Sequence, residues 1–188
     1  MFIQTEATPN PSTLKFLPGR SVLSQGTADF PDREAAEASP LAQRIFGVEG
    51  VEGVFFGPDF ISVAKADPVE WPHIKPAILG VIMEHFTSGA PVMNADAEAG
   101  GGHAEHDGPH GEIVAQVKEL LDTRVRPAVA QDGGDITFHG FEDGVVYLSM
   151  RGACAGCPSS TMTLKMGIEN LLRHYIPDVT EVRPVAEM

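Results

Sequence analysis

The sequence predicts an α+β protein with two small mixed domains that are joined by a flexible linker rich in Gly, His and acids. Short strand-like runs alternate with longer runs in which apolar residues recur at helical spacing. Residues 94–111 read NADAEAGGGHAEHDGPHG, a stretch with no aliphatic side chain larger than Ala, so it cannot cover a core. We therefore expect a first domain at 1–92, a linker at 93–110 and a second domain at 111–188.

The first domain is expected to combine four strands with two helices. The strands are predicted around Pro- and Gly-rich turns, at residues 2–5, 13–17, 51–56 and 60–65. Ser39 before Pro40 is typical of a helix start, and this helix should end near residue 46. A second helix is predicted at 71–86 from the spacing of its apolar residues. Trp71 and most of the phenylalanines should pack in the core rather than form a surface that binds client proteins.

The second domain is expected to run from a helix through a hairpin to a second helix and a last strand. Pro127 should end or kink the first helix, which begins near residue 113. Asp143 and Gly144 supply the positive φ angles of a hairpin turn. Met162 and Met166 are expected to pack near the second helix start rather than to act as soft ligands. The remaining elements are predicted as strands at 136–141 and 145–150, a helix at 160–175 and a strand at 179–182.

Cys154 and Cys157 are the only cysteines of the chain and form a C-x-x-C motif between a predicted strand and a predicted helix. Pro158 suits the first turn of that helix, whose partial positive charge stabilises thiolates. Two thiolates cannot fill a site that needs four. A disulfide that closes so short a loop would stabilise little, which favours a reducing compartment.

Three interpretations of this motif remain open from the residues alone. Two chains could each give two thiolates to one [4Fe–4S] cluster or one zinc ion, which is the favoured interpretation. The pair could instead be a dithiol redox couple of the thioredoxin type, or it could be incidental. The redox interpretation is disfavoured because the preceding strand belongs to a hairpin, whereas the redox motif usually lies in a βαβ unit. The small residues between the cysteines should leave the sulfurs accessible.

Charge and patterning exclude several classes of function. The chain has 26 acidic and 13 basic residues and a formal net charge of −13, so we expect no nucleic-acid partner. No run of about twenty apolar residues is present, so we expect no membrane partner. The first residues do not resemble a signal or transit peptide, which predicts a cytoplasmic, bacterial-type protein or a mature mitochondrial form.

Ordered motifs in both halves resemble a known family. In the second half these are LLDTRVRP at 120–127, DGGD at 132–135 and CAGCPSS at 154–160, and this half resembles the C-terminal domain of NifU. The first half resembles the N-terminal domain of mitochondrial and alphaproteobacterial Nfu proteins. Its matching motifs are MFIQT at 1–5, TPNP at 8–11, LKF at 14–16 and VFFGPDF at 54–60.

The resemblance implies an iron–sulfur cluster carrier and not an enzyme. Cys154 and Cys157 carry over as the cofactor-binding and metal-binding residues of a [4Fe–4S] cluster, one per homodimer. The implied partners are an upstream cluster-assembly scaffold and apo iron–sulfur client enzymes. The first domain is assigned to client or partner recognition. The alternatives are a dimeric structural zinc module and a thioredoxin-like dithiol oxidoreductase.

Five other polar residues are weaker candidates. His103, His106 and His110 could bind a metal, but a solvated polar linker is favoured because such a segment has no fixed geometry. Asp132 and Asp135 could be acid–base groups, but turn or cap hydrogen bonding is favoured because they flank two glycines.

Overall fold

Helices and strands fall into two separate units of the chain. The structure is a computed structural model that describes residues 2–97, 108, 110–154 and 158–185, with side chains described for all of these except 158–161. Backbone contacts divide the chain into Met1–Gly100 and Gly101–Met188. The predicted α+β class with two domains is confirmed. Within the described ranges, no helix is both long and apolar enough to cross a membrane.

The first unit is built on a five-stranded antiparallel sheet in the order β1-β2-β5-β4-β3. The strands are β1 (Gln4–Ala7), β2 (Thr13–Leu17), β3 (Ala28–Phe30), β4 (Val51–Phe56) and β5 (Ile61–Lys65). A 3-10 turn (Ala35–Ala38) leads into helix α1 (Pro40–Phe46), and helix α2 (Trp71–Ser88) follows β5. Both helices share one buried cluster with the sheet, in which the largest fully buried side chains include Phe16, Phe56, Leu41, Ile45 and Ile78.

Helix α1 begins where the sequence predicts. The hydroxyl of Ser39 accepts a hydrogen bond from the Ala42 N–H at 3.0 Å, which satisfies one of the amides that a helix start leaves without a partner. The same hydroxyl donates to the carbonyl of Val92. Next to it, Asn94 donates to the carbonyl of Ala38 at 2.9 Å. The first unit therefore includes residues from the start of the predicted linker, and the predicted domain bounds stay a prediction.

Two strands of this unit differ from the prediction. The first strand lies at Gln4–Ala7 instead of 2–5, and Phe2 before it is 83% exposed. The strand Ala28–Phe30 was not predicted because three residues are too few to show a period. It forms because Ala28 and Phe30 are buried and pair with β4.

The second unit contains a three-stranded sheet in the order β6-β7-β8. Strands β6 (Gly134–Glu142) and β7 (Val145–Gly152) form the predicted hairpin, with φ of +49° at Asp143 and +79° at Gly144. Helix α5 (Pro158–Tyr175) then leads to β8 (Glu181–Val185), which pairs with β7 in parallel. The cysteine motif therefore does lie in a βαβ unit, and the topological argument against a redox couple was wrong. The cause is that β7 has two neighbours, one antiparallel and one parallel.

Pro127 does not end the first helix of this unit. Helix α3 (Gly111–Leu120) continues through a π-helical turn (Leu121–Val125) into α4 (Arg126–Gln131). In this turn the N–H of Arg126 donates to the carbonyl of Leu121, five residues earlier. Proline has no N–H and its ring clashes with the carbonyl four residues before it, so a wider turn accommodates it within a continuing helix. The buried side chains of Leu121 and Val125 hold this turn in the core.

Candidate metal centre at the cysteine loop

The loop with the two cysteines connects the end of β7 to the start of α5. Cys154 follows Gly152, the last residue of β7, by two positions, and it is 6% exposed within the core of the second unit. Cys157 lies outside the described residues, directly before Pro158, the first residue of α5. The expectation that small neighbours leave the sulfurs accessible was wrong for Cys154, because the hydrophobic core closes over its side chain.

The backbone of β6 approaches the sulfur of Cys154 closely at Gly134. A Cβ atom on Gly134 would lie 2.6 Å from Sγ of Cys154 and 2.8 Å from the carbonyl oxygen of Arg151. Real Cβ contacts are longer than about 3 Å, so only glycine fits at this position without a shift of the strand or the sulfur. The first residue of β6 therefore packs directly against the sulfur of Cys154.

Two further glycines hold the first residue of the loop, Ala153, next to the start of β6. Gly133 and Gly152 have φ of +81° and +66°, conformations in which other residues are strained. The N–H of Ala153 donates to the carbonyl of Gly133 at 3.2 Å, and Gly134 pairs with Gly152 across the hairpin. The residue before Cys154 is thus tied to the residue before Gly134.

A bidentate ion pair holds the same end of β6 to the helix that precedes it. Nε and Nη2 of Arg126 donate to the two carboxylate oxygens of Asp135 at 2.8 and 2.9 Å. Nη1 of Arg126 donates to Asp122 at 3.0 Å, and Asp135 also accepts from the N–H of Ile136 at 2.9 Å. The hydrogen bond and charge of Asp135 raise the pKa of Arg126 above its usual range, against the opposing effect of burial. The carboxylate of Asp135 thus has a structural role, whereas Asp132 is exposed at the end of α4.

The sequence gives little sign of this ion pair. Gly133 and Gly134 stand out as a doublet, but Arg126 lies nine positions before Asp135 and on a different element. The pair forms because α4 is short and its last turn leads directly into β6. A basic residue in LLDTRVRP and an acid in DGGD were the available signals.

The other candidate ligands do not gather at the loop. The ring of His110 packs edge-on against Phe141 with 5.4 Å between ring centroids, and His103 and His106 lie outside the described residues. Among the side chains that the structure describes, no three of the types His, Cys, Asp and Glu come together in a way that could hold a metal ion. Met162 and Met166 are 66% and 61% exposed, so the prediction that they pack was wrong. They lie on the side of α5 opposite to Ile168 and Leu172, which face the core.

The donor set fits a soft metal or a cluster but supplies only half of a site. Thiolates bind zinc, copper(I) and iron–sulfur clusters, and of these the structural zinc sites and the iron–sulfur clusters commonly need four ligands. The chain has two cysteines. A complete four-thiolate site therefore requires thiolates from a second chain.

Comparison with protein families identifies both halves of the chain. Residues 3–89 match the family described as scaffold protein Nfu/NifU N terminal, and residues 117–183 match the NifU-like domain. The chain belongs to the Nfu/NifU scaffold family. Nfu/NifU domains thus account for each of the two units, and the resemblance predicted from the sequence motifs is confirmed.

Curated relatives are identical to this Nfu/NifU chain at about half of the aligned positions. A human protein named NFU1 iron-sulfur cluster scaffold homolog, mitochondrial, is 51% identical over 188 residues, which is 100% of this chain and 73% of the relative. The protein of the same name from Drosophila sechellia is 54% identical over 98% of this chain and 65% of the relative. The chain thus spans less than two thirds of the Drosophila protein.

Solved structures include two domain-sized neighbours. The solution structure of a NifU-like protein from Saccharomyces cerevisiae has a TM-score of 0.45 and 30% identity, and it covers 51% of this chain and 87% of its own. A crystal structure of a Staphylococcus aureus protein has a TM-score of 0.40 and 28% identity, over 44% of this chain and 99% of its own.

Proposed function

We propose that this protein is an iron–sulfur cluster scaffold that binds a [4Fe–4S] cluster through Cys154 and Cys157 and delivers it to apo-proteins. The proposal rests on the position of the Cys154 sulfur. This sulfur lies against Gly134 at a point where any other residue would collide with it. A thiol that attacks disulfides is partially exposed, whereas the sulfur of Cys154 is buried, which disfavours the dithiol oxidoreductase.

The cluster is cargo that two copies of the chain hold between them. Each copy supplies two thiolates, so one cluster is bound per homodimer. When the two copies separate, two ligand positions of the cluster open at once. Thiolates of a client protein then replace those of the carrier, one ligand after another, with no change in the oxidation state of the cluster.

The names of the relatives support a role as an iron–sulfur cluster scaffold. The relatives are named as scaffolds and not as enzymes, which agrees with a carrier that catalyses no reaction of its own. The donor is an upstream assembly scaffold, and the acceptors are apo iron–sulfur enzymes that the first unit recognises. The net charge of −13 supports protein partners rather than nucleic acid. We place the protein in a reducing compartment, either a bacterial-type cytoplasm or, as the relatives' names suggest, the mitochondrion.

Anaerobic purification followed by metal and sulfide analysis tests the proposal. A shared [4Fe–4S] cluster gives a brown protein with about two iron and two sulfide per protomer, and a shared [2Fe–2S] cluster gives about one of each. A colourless protein with about half a zinc per protomer would support the zinc module instead. Disulfide reductase turnover without metal would support the dithiol oxidoreductase.

Two single substitutions assign the ligands. Cys154→Ser and Cys157→Ser should each abolish stable iron binding and the cluster-linked dimer, while the far-UV circular dichroism stays that of the wild type. Unchanged iron content in the Cys157→Ser protein would sink the ligand assignment.

A further inference from the structure

The outer face of α5 carries two exposed methionines next to the cysteine loop. Met162 and Met166 are 66% and 61% exposed, and their separation of four residues places them side by side on the helix. Apolar side chains that are exposed together often mark interaction sites, and methionine adapts well to a partner surface. The cysteine loop ends where this helix begins, at Pro158. At a rise of about 1.5 Å per residue, the two methionines lie about 6 and 12 Å along the helix from that start.

The other side chains beside the methionines are small and uncharged, except for Glu169 and Arg173, which lie next to them on the helix and pair with each other at 3.8 Å. Thr163, Gly167 and Asn170 are exposed there, and the angular spacing of a helix places them on the methionine side. A Cβ atom on Gly167 would have no neighbour within 4 Å. A second helix can therefore approach closely at this point, because the distance between packed helices depends on the side chains at the contact. We call the five residues Met162, Thr163, Met166, Gly167 and Asn170 the α5 face.

Charge favours a second copy of the chain as the occupant of the α5 face. With a net charge of −13, two copies repel each other over most of their surface. Helix α5 contains one acid, Glu169, and its carboxylate is turned toward β8. It accepts a hydrogen bond from the N–H of Val182 at 3.2 Å and lies 3.8 Å from Arg173. The α5 face is thus bordered by an acid that is paired and by the exposed Arg173, so two acidic chains can meet there without opposing unpaired carboxylates.

We propose that the α5 face is the contact between two copies of this chain in the cluster-bound dimer. The proposal rests on the proposed function, because a chain with two thiolates needs a second copy to complete the site. A two-fold axis close to Met162 sets each methionine pair against the same pair in the other copy. It also brings the two helix starts, and thereby both cysteine pairs, to the same place.

A charge-pair experiment tests this contact with the full chain. One variant carries Met162→Glu and Met166→Glu, and the other carries Met162→Lys and Met166→Lys. Each variant alone sets like charges against each other, so its dimer should be at least about tenfold weaker, and its iron content after anaerobic reconstitution should fall accordingly. Mixed in equal amounts before reconstitution, the two variants should recover the dimer and at least half of the wild-type iron. Met83→Glu, at an exposed methionine of the first unit, is the matched control and should keep wild-type iron.

The outcomes separate this contact from the cargo. Sedimentation measures the dimer, and metal analysis identifies what the dimer binds. A wild-type dimer that holds zinc would overturn the proposed cluster. The α5 contact would still be supported if the mixture of the two variants restored that dimer. A variant that dimerises alone as the wild type does overturns the contact. If the variants keep dimer and iron but fail to transfer the cluster to a client, the α5 face binds the client instead. Folded variants whose mixture recovers neither dimer nor iron also overturn the contact.

Discussion

The sulfur of Cys154 lies in the space that a side chain at position 134 would occupy, so its position requires the glycine Gly134. A Cβ atom on Gly134 would be 2.6 Å from Sγ of Cys154 and 3.1 Å from its backbone nitrogen. The contact joins the first residue of β6 to a loop about twenty residues later in the chain, which carries the candidate ligands. The position of the sulfur is therefore a property of the sheet as well as of the loop.

Gly134→Ala should disturb the metal centre more than the fold. The added methyl group collides with the sulfur and with the carbonyl of Arg151, so either the loop or the strand must move. We expect a loss of about 1–3 kcal/mol in the free energy of unfolding of the second unit, as is usual for overpacking. Iron bound after anaerobic reconstitution should fall by at least half, measured with the visible spectrum of the cluster.

Gly140→Ala is the matched control for this experiment. Gly140 lies in the same strand, and a Cβ atom there has no neighbour within 4 Å. This variant should keep its iron. Equal loss of iron in both variants would contradict the role of the Gly134 contact, because it would point to a general cost of alanine in β6.

Arg126→Lys should destabilise the second unit although it keeps the positive charge. Lysine cannot reproduce the two parallel hydrogen bonds to Asp135, whose side chain is 5% exposed. We expect a loss of about 1–3 kcal/mol in the free energy of unfolding, which is the cost of leaving a buried hydrogen-bonding group unsatisfied. Urea titration followed by tyrosine emission measures it, since both tyrosines, Tyr147 and Tyr175, lie in this unit.

Arg183→Lys provides the comparison for the ion pair. Arg183 also donates two hydrogen bonds to one carboxylate, that of Glu181, at 3.0 and 3.1 Å. Its side chain is 54% exposed, so solvent screens the pair. The free energy of unfolding should not change beyond measurement error. A loss as large as that of Arg126→Lys would show that burial is not the reason why the ion pair with Asp135 stabilises the second unit.

Local signals in the sequence predicted much of this fold correctly. Ser39 and Pro40 mark the start of α1 because a cap and a fixed φ angle act within one turn. The turn at Asp143 and Gly144 marks the hairpin β6–β7 because both residues need positive φ. The Nfu/NifU family followed from ordered motifs that span both units.

Contacts between distant parts of the chain were not predictable in this way. The parallel pairing of β8 with β7 depends on where α5 returns the chain, which no local pattern states. The ion pair between Arg126 and Asp135 depends on how the short helix α4 leads into β6. Met162 and Met166 are different, because both lie off the apolar face that contains Ile168 and Leu172, so the spacing itself indicated their exposure.

Ser39→Ala should destabilise the first unit. The hydroxyl of Ser39 is fully buried, caps α1 by accepting from Ala42 and donates to the carbonyl of Val92. Loss of a helix cap costs about 0.5–2 kcal/mol, and the carbonyl of Val92 also loses its donor. Trp71 is the only tryptophan of the chain and lies in this unit, so its emission in a urea titration measures the effect. Ser39→Thr, which keeps the hydroxyl, should lose less, and equal losses would argue against the cap.

Acidification should weaken the first unit through His85. This side chain is fully buried in α2, and its Nε2 lies 3.0 Å from the carbonyl oxygen of Pro91. A carbonyl only accepts, so Nε2 carries the hydrogen, and Nδ1 is then an acceptor without a hydrogen-bond partner in the described structure. Desolvation by burial is the largest effect and lowers the pKa of His85 below 6.5. The hydrogen bond to the Pro91 backbone opposes it, the charge of Arg44 lowers the pKa further, and the Ala90 backbone has a smaller raising effect.

The sign of the pH dependence follows from this lowered pKa. Below the ordinary histidine pKa of about 6.5, the unfolded chain takes up a proton that the folded chain does not. The contribution of His85 to stability is therefore complete above that pH and is lost as the pH falls toward the lowered pKa of the folded state. Urea titrations followed by Trp71 emission at pH 8 and pH 5.5 should show a larger loss for the wild type than for His85→Gln, which retains an N–H group but does not titrate. His73→Gln, on the exposed side of the same helix, should lose as much as the wild type, and an equal pH dependence in all three proteins would exclude His85 as the titrating group.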